Sequence, residues 1–478
     1  MIHDGSARAD RARRLRLRLC LAAAVAGMAA TVVVFQPGTM SMDAIVQLTE
    51  ARSGIYHDWH PPLLTWIWSW LDAVVPGPVG LLLLQNAMFW AGLALVVYLC
   101  DVPAAWTFPL VLGLGAFPPV LSALGTIWKD VAMAAALLLA FALLLRAHVR
   151  AASWLPVGLA LAALFCAVAF RHDAALAVYP LALWLGAIVD GLSARDASRR
   201  RKWRGLVLGH VVMGGLVGLA LGAESGLVGD RRLFPSQQIL VHDLIAISVR
   251  TGTIEVPERL VERGGPLSVE TLACLYTPDS AVSAFSARHD ACPLLLRKVT
   301  DERGMSALRR AWLRAVPRHP GAYAAHRLSV WREMLAFGRP RVCYPLQPRT
   351  DPNALGVESR PSPLRARVLE VARLAAYETP LFRPWLYLAL VIVLLGAAPV
   401  IGRGDPVPAV VLGGSALLYT GGHLVVGTAC DFRLSWWPIV AAAVLPLVTW
   451  RGGAAQRPRA RGTRARMRAI RSAARPSQ

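Results

Sequence analysis

The chain is 478 residues long, 55% hydrophobic and only 17% charged, with a mean hydropathy of +0.47. That balance excludes an ordinary soluble domain, in which charged residues make up about a quarter, and a disordered chain, which needs dense charge and low hydrophobicity. The net charge of +22 points first to nucleic acid, but such a partner needs basic residues gathered on one folded face. Here the basic residues follow a membrane pattern instead, and no nucleic-acid partner is expected.

From the N-terminus, a basic stretch (1–18) leads into the first of about ten apolar runs, each near the length that crosses roughly 30 Å of hydrocarbon. They are Leu19–Phe35, Val79–Leu99, Ala105–Ile127, Val131–Leu145, Trp154–Phe170, Ala174–Val189, Leu206–Ala223, Trp385–Val400, Val407–Val426 and Leu434–Trp450. The shorter runs reach the interface through flanking Trp, Arg and Lys side chains that snorkel. Ala26-Gly27-Met28-Ala29 has the small residues of a cleavage site, but the run continues through Thr31-Val32-Val33-Val34-Phe35, which favours an uncleaved helix. The expected fold class is therefore an all-α integral membrane protein with about ten transmembrane helices. Helices 1–7 lie in 19–223 and helices 8–10 in 384–450, with a basic tail over 451–478.

Two segments interrupt this regular pattern: the first outer loop, 36–78, and the stretch 224–383, long enough for a small domain. Apolar residues at three- and four-residue spacing predict helices over Ser236–Arg250, Glu302–Ala315, Ala322–Phe337 and Pro363–Tyr377, so this outer domain reads as mostly helical. Orientation follows from the basic residues. Arg8 to Arg18, Arg195 to Arg204 and the tail from Arg451 all fall on one side of an even number of crossings. That side holds 24 Lys and Arg against 6 Asp and Glu, so most of the +22 is a cytoplasmic topology signal. The reading is a multi-pass inner (plasma) membrane protein with both termini cytoplasmic, its tail drawn to anionic membrane lipid. In an oxidising outer compartment a Cys274–Cys292 disulfide is permitted, and two free thiols fit the sequence equally well.

The first outer loop concentrates chemistry. Residues 41–51 predict a short helix lying on the membrane surface, with Ser41 as N-cap, Ile45, Val46 and Leu48 on an apolar side, and Asp43, Gln47 and Glu50 opposite. It is followed by Gly54-Ile55-Tyr56-His57-Asp58-Trp59-His60-Pro61-Pro62-Leu63, and then by an interfacial segment with Trp66, Trp68 and Trp70. A bland alternative is a surface helix whose Asp43 complements its own dipole. Other outer loop ends also carry charge in pairs: Lys129-Asp130, Arg171-His172-Asp173 and Asp431-Phe432-Arg433. Charges beside hydrocarbon are costly, on the order of 3 kcal/mol, and are usually paired or functional. All lie on the same face as Asp43, which points to one shared polar site.

An acid on a short helix in the first outer loop, followed by Gly-x-Tyr-x-Asp-x-His-Pro-Pro-Leu, resembles the GT-C superfamily of membrane glycosyltransferases. The likeness is greatest to the branch with protein O-mannosyltransferases and lipid A aminoarabinose transferases, and its specific part spans Pro37–Leu63. It implies that Asp43 is the catalytic carboxylate and that His60, before the prolines, lines the donor site. Many relatives carry a second acid directly after the first; here that position is Ala44, so Asp58 or Glu50 is left to fill that role. The implied function is transfer of a sugar from a polyprenyl-phosphate carrier to a glycan, lipid or protein acceptor at the outer face.

In that reading Asp43 and Asp58 are the candidate catalytic acids, while His60, Lys129, Arg171 and Arg433 bind donor phosphate, Lys and Arg both suiting that task. Glu50, Tyr56, His57, Asp130, His172 and Asp173 are candidate substrate contacts, and Gln237, Gln238, His242 and Asp243 candidates for positioning the acceptor. His57-x-x-His60 has weak metal-ligand spacing, leaving a divalent metal ion open as a cofactor. Two other classes share the outline. An O-antigen ligase or polymerase has many helices and a large outer loop but lacks the Asp-loop-His-Pro-Pro arrangement. A transporter favours broken helices and mid-membrane charges.

Overall fold

A computed structural model describes residues 2–150, 153–193, 199–286, 292–338, 342–402 and 404–450. Arg195 and the basic residues of the tail lie outside them. The membrane part opens with α1 (Ile2–Phe35), followed by α2 (Met42–Ser53) and α3 (Pro62–Val74) of the first loop. Then come α4 (Val79–Leu99), α5 (Ala104–Gly115), α6 (Pro118–Leu124), α7 (Lys129–Val149), α8 (Trp154–Phe170), α9 (Ala175–Ser193) and α10 (Arg199–Val228). The long inter-helix stretch holds α11 (Gln237–Thr251), α12 (Val269–Leu275), α13 (Glu302–Arg318), α14 (Pro320–Met334) and α15 (Pro363–Glu378). The chain returns through α16 (Pro384–Ile401), α17 (Val407–Val426) and α18 (Trp436–Trp450).

Among the described residues, seven helical segments are long and apolar enough to cross a bilayer: Arg8–Phe35, Val79–Leu99, Lys129–Val149, His172–Leu192, Trp203–Val228, Val407–Val426 and Phe432–Trp450. The fold is that of an all-α, multi-pass membrane protein. Trp154–Phe170 and Pro384–Val400 are shorter apolar helices. The run Ala105–Ile127, expected as one straight span, is instead α5 and α6 bent by 64°. The cause is Pro118-Pro119, since proline supplies no N–H for the helix and its ring clashes with the preceding turn. Lys129 and Asp130, expected in a loop, form the first turn of α7.

α7 is the central post, with Val131 to Leu138 all at most 1% exposed against its neighbours. Lipid offers helices no hydrophobic drive to associate, so close contact depends on small residues. Gly205 and Gly209, one turn apart on α10, face Gly186 of α9. A Cβ on Gly186 would stand 2.3 Å from the Gly205 carbonyl oxygen and 2.4 Å from the Gly209 nitrogen.

The inter-helix stretch divides by its packing. Val241, Leu244, Ile247, Leu272, Met305 and Leu308 belong to a separate hydrophobic core built on α11, α12 and α13. A two-stranded antiparallel sheet, Val261–Arg263 with Leu295–Leu296, and the Cys274–Cys292 disulfide close this unit. The expectation of one outer domain over 224–383 is modified here, because Val342, Ala372, Ala375, Ala376 and Phe382 pack into the membrane core. A second disulfide, Cys343–Cys430, ties the return segment to the loop after α17.

The α9–α10 contact makes a direct prediction. Gly186→Val should destabilise the protein by about 1–3 kcal/mol, the usual cost of overpacking, and lower its melting temperature in detergent. An unchanged melting temperature would show that the two helices are free to separate.

Candidate functional site

Backbone pairing brings the first loop to the start of α7. Thr39 N–H donates to the Gly125 carbonyl (2.9 Å), and Ile127 N–H donates back to Thr39 (2.8 Å). Gly125 has no room for a side chain, since a Cβ there would lie 2.1 Å from the Phe35 ring. Trp128 Nε1 donates to Ser41 Oγ at 3.0 Å, so the Ser41 hydroxyl does not cap α2 as expected. Asp351 takes that role from far along the chain, its Oδ2 accepting from Met42 N–H at 2.9 Å. Asp351 N–H in turn donates to the Met40 carbonyl, also at 2.9 Å. These ties hold Asp43, in the first turn of α2, beside Lys129.

Around Asp43 the structure gathers most of the charged residues named from sequence. Arg433 Nη2 lies 2.7 Å from Asp43 Oδ2, and its Nε lies 2.8 Å from Asp431 Oδ2 and 3.9 Å from Asp130 Oδ2. Arg171 donates to Asp130 through Nη1 and to Asp173 through Nη2, with a further Nε–Oδ1 bond to Asp173 at 2.8 Å. Asp130, 0% exposed, is the floor of the cluster, while Asp43, 36% exposed, is its rim. The Arg433 guanidinium also stands 5.5 Å from the centre of the Trp128 ring. Lys129 differs from both arginines. Among the described residues it makes no ion pair with a carboxylate, and its Nζ donates to His60 Nδ1 at 2.7 Å. Because Nδ1 accepts, the imidazole proton sits on Nε2, which faces Asp43 Oδ1 at 3.8 Å.

Electrostatics follow from this geometry. Burial acts to raise the Asp43 carboxyl, but Arg433, His60 and Lys129 together overcome it and hold Asp43 well below the usual carboxylate range. Burial and the neighbouring Lys129 push the His60 imidazole down to about 3, so it is neutral and an acceptor at physiological pH. Asp431 moves the other way, raised chiefly by burial. Three cations thus face four carboxylates, and Lys129 alone among those cations has no carboxylate partner among the described residues.

Other candidates lie elsewhere. Asp58, read as a second catalytic acid, accepts from the backbone N–H groups of Leu233 and Phe234 and so pins the loop to the chain after α10. Glu50 and Gln47 were expected on an outward polar face of α2. Both are buried, because α3 packs over that face: Gln47 donates to Thr65, and Glu50 pairs with His57 at 2.8 Å. Tyr56 is buried as well, and its carbonyl accepts from Arg231. His172 turns away from its neighbours to Glu224, at 3.0 Å. Of the residues suggested for the acceptor, Gln237 bonds the backbone of Leu233 and Val299. Asp243 is buried and receives Arg327 and Trp312, both at 2.7 Å. His242 donates to the Thr277 carbonyl at 2.8 Å. These three groups hold a domain interior together.

Sequence reasoning missed Tyr419 and His423, one turn apart on α17. Both are buried at the base of the cluster, with His423 Nε2 3.5 Å from Asp173 Oδ2. The available signal was a histidine within an apolar run, which is costly in a membrane helix unless it meets a partner. Among the described residues no group of three or more His, Cys, Asp or Glu side chains is arranged to hold a metal ion. The weak His57-x-x-His60 spacing is split by structure, His57 turning to Glu50 and His60 to Lys129. No family profile, no characterised protein and no solved structure matches this chain.

His60 supplies a pH prediction. It titrates near 6.5 when unfolded and at about 3 when folded, so between those values the unfolded chain holds the extra proton and stability falls as pH drops. His60→Asn removes this contribution. Between pH 7 and 5 the wild type should lose on the order of 1–2 kcal/mol more than the variant, measured by chemical unfolding in detergent. Parallel losses in the two proteins would place a charged imidazole in the folded cluster.

Proposed function

We propose that this chain is a membrane glycosyltransferase that moves a sugar from a polyprenyl-phosphate carrier to a glycan, lipid or protein acceptor at the outer face of the membrane. The observation that carries the reading is the meeting of Asp43 with Arg433 at 2.7 Å, beside a Lys129 whose ammonium is held by the neutral His60. The likeness of Pro37–Leu63 to the GT-C superfamily supports the same assignment.

The chemistry uses these groups in turn. With both guanidinium groups of the cluster paired to carboxylates, a phosphate is best received by Lys129 and, in place of Asp43, by Nη2 of Arg433. Taking over Arg433 releases Asp43 from its ion pair, and the carboxylate becomes more basic at the moment the donor arrives. The acceptor hydroxyl then gives its proton to Asp43, and its oxygen bonds to the anomeric carbon from the face opposite the phosphate. The bond from that carbon to the phosphate oxygen breaks, and its electron pair stays on the polyprenyl phosphate, where Lys129 and Arg433 stabilise the charge. Asp431, with Asp130 behind it, keeps Arg433 in place as it changes partner, so little reorganisation accompanies the step. Incubating membranes that contain the protein with a panel of radiolabelled polyprenyl-phosphate sugars tests the reading; a complete lack of transfer or hydrolysis across the panel counts against it.

Asp43→Asn keeps the shape of the side chain but removes the base. Transfer should fall by at least about 100-fold, the lower range for loss of general-base catalysis, with donor binding largely retained. Lys129→Ala should show the reverse split, weakening donor binding by a few kcal/mol, as for a lost charge-assisted contact. Near wild-type turnover with Asp43→Asn would reduce Asp43 to an ion-pair partner of Arg433.

The same proposal places ten crossings in the inner membrane, counting the bent α5–α6 pair and the two shorter apolar helices, with both termini in the cytoplasm. The Arg-rich segments on one side support that orientation. An impermeant thiol reagent on intact cells should label Ser286→Cys and spare Ser477→Cys. Labelling only of the latter would invert the topology and put the cluster in the cytoplasm.

A further inference from the structure

α15 is tied at both ends to the ends of membrane helices. Near its start, Arg365 Nη2 donates to Thr39 Oγ1 at 2.8 Å, and the guanidinium stands 5.8 Å from the ring of Phe35, the last residue of α1. Beyond its end, a short turn over Pro380–Phe382 leads into α16, with Tyr387 donating to the Leu381 carbonyl at 2.6 Å. A helix of 16 residues is about 24 Å long. Held at both ends this way, it runs along the end of the bundle instead of projecting from it.

Its three sides differ. Arg365, Ala372 and Ala376 are buried against the bundle. Leu364, Val371 and Leu374 form a flank that is 51%, 58% and 45% exposed, with the exposed Arg367 on the same face, long enough to snorkel to the headgroups. Glu370 and Arg373 pair with each other on the remaining side, both N–O distances being 2.8 Å. The exposed apolar flank continues into a groove of about 190 Å³ between α15 and the α5–α6 bend, lined by Phe35, Ala116, Pro118, Leu121 and Val368, with Arg367 at its edge. A soluble protein has no use for such a flank, whereas a helix with one apolar and one charged side lying beside the ends of membrane spans suits the lipid interface.

We propose that α15 is an interfacial helix immersed in the adjoining leaflet, its Leu364–Val371–Leu374 flank in hydrocarbon, and that the groove holds one acyl chain of a bilayer phospholipid with Arg367 facing the phosphate. Continuity decides the occupant, since the groove walls are themselves the ends of the membrane-facing helices α1 and α5–α6. The inference does not rest on the transferase reading and is tested without an activity assay.

The full chain, with Cys20, Cys100 and Cys166 replaced by Ala, is reconstituted in vesicles of phosphatidylcholine and phosphatidylglycerol and labelled with a fluorophore at one introduced cysteine. Phosphatidylcholine brominated on its chains should quench probes at Val371→Cys and Leu374→Cys at least about twofold more than at Arg373→Cys, as for side chains below the headgroups. Iodide in the buffer should give the opposite order. Iodide quenching at Val371→Cys and Leu374→Cys as strong as at Arg373→Cys would overturn the proposal. In the groove, a probe at Val368→Cys should be quenched by the brominated phospholipid and stay quenched when polyprenyl phosphate is added. Relief of quenching by that carrier would assign the groove to it and overturn the phospholipid.

Discussion

Asp130 is a carboxylate with no exposed surface, placed at the start of the most buried helix of the bundle and flanked by Arg171 and Arg433. An isolated charge in such a place is untenable, and burying it depends on the two guanidinium groups. Each of those is in turn held by a second carboxylate, Arg171 by Asp173 and Arg433 by Asp431. The arrangement joins the start of α7, the α8–α9 turn and the turn after α17 into one ionic layer. Removing a single partner leaves an uncompensated charge in the interior, so the layer stands or falls as a unit.

Asp43 and Lys129 sit on the rim of this layer and are the two groups that its internal pairing leaves available. Asp43 meets Arg433 through Nη2 while Nε is turned to Asp431, and Lys129 rests on a neutral histidine. Their positions are set by backbone, through the pairing of Thr39 with Gly125 and Ile127 and the cap that Asp351 places on α2. The Cys343–Cys430 link fastens the segment that carries Asp351 close to Asp431 and Arg433. The rigid layer and the covalently held cap leave the rim groups little freedom, which suits the transferase proposed above.

In the membrane bundle beneath, small residues allow the closest helix contact. Gly186, Gly205 and Gly209 let α9 and α10 touch through their backbones. The bend at Pro118-Pro119 turns α6 across the bundle end, which opens the groove that α15 covers and sends residues 125–128 toward Thr39. One local break in a span thus serves both the lipid-facing groove and the candidate site.

Much of this architecture was legible from sequence because apolar length and three- to four-residue spacing are local properties. α4, α8 and α17 begin and end at the residues their apolar runs suggested, and α11, α13, α14 and α15 fall close to where their spacing put them. The charge pairs Lys129-Asp130, Arg171–Asp173 and Asp431–Arg433 stood out because ionisable groups beside hydrocarbon are rare, and the structure brings all three to Asp43. What sequence could not decide was partnership. Asp58, Glu50 and His172 look as functional as Asp43 in a linear chain. Only the packing of α3 over α2, and of residues 233–234 and 224 against them, shows that they are spoken for by the backbone of 233–234, His57 and Glu224. The cap from Asp351, the partner of Cys430 and the approach of His423 to Asp173 link residues up to hundreds of positions apart. No local pattern encodes such contacts, because they depend on how whole helices are set side by side.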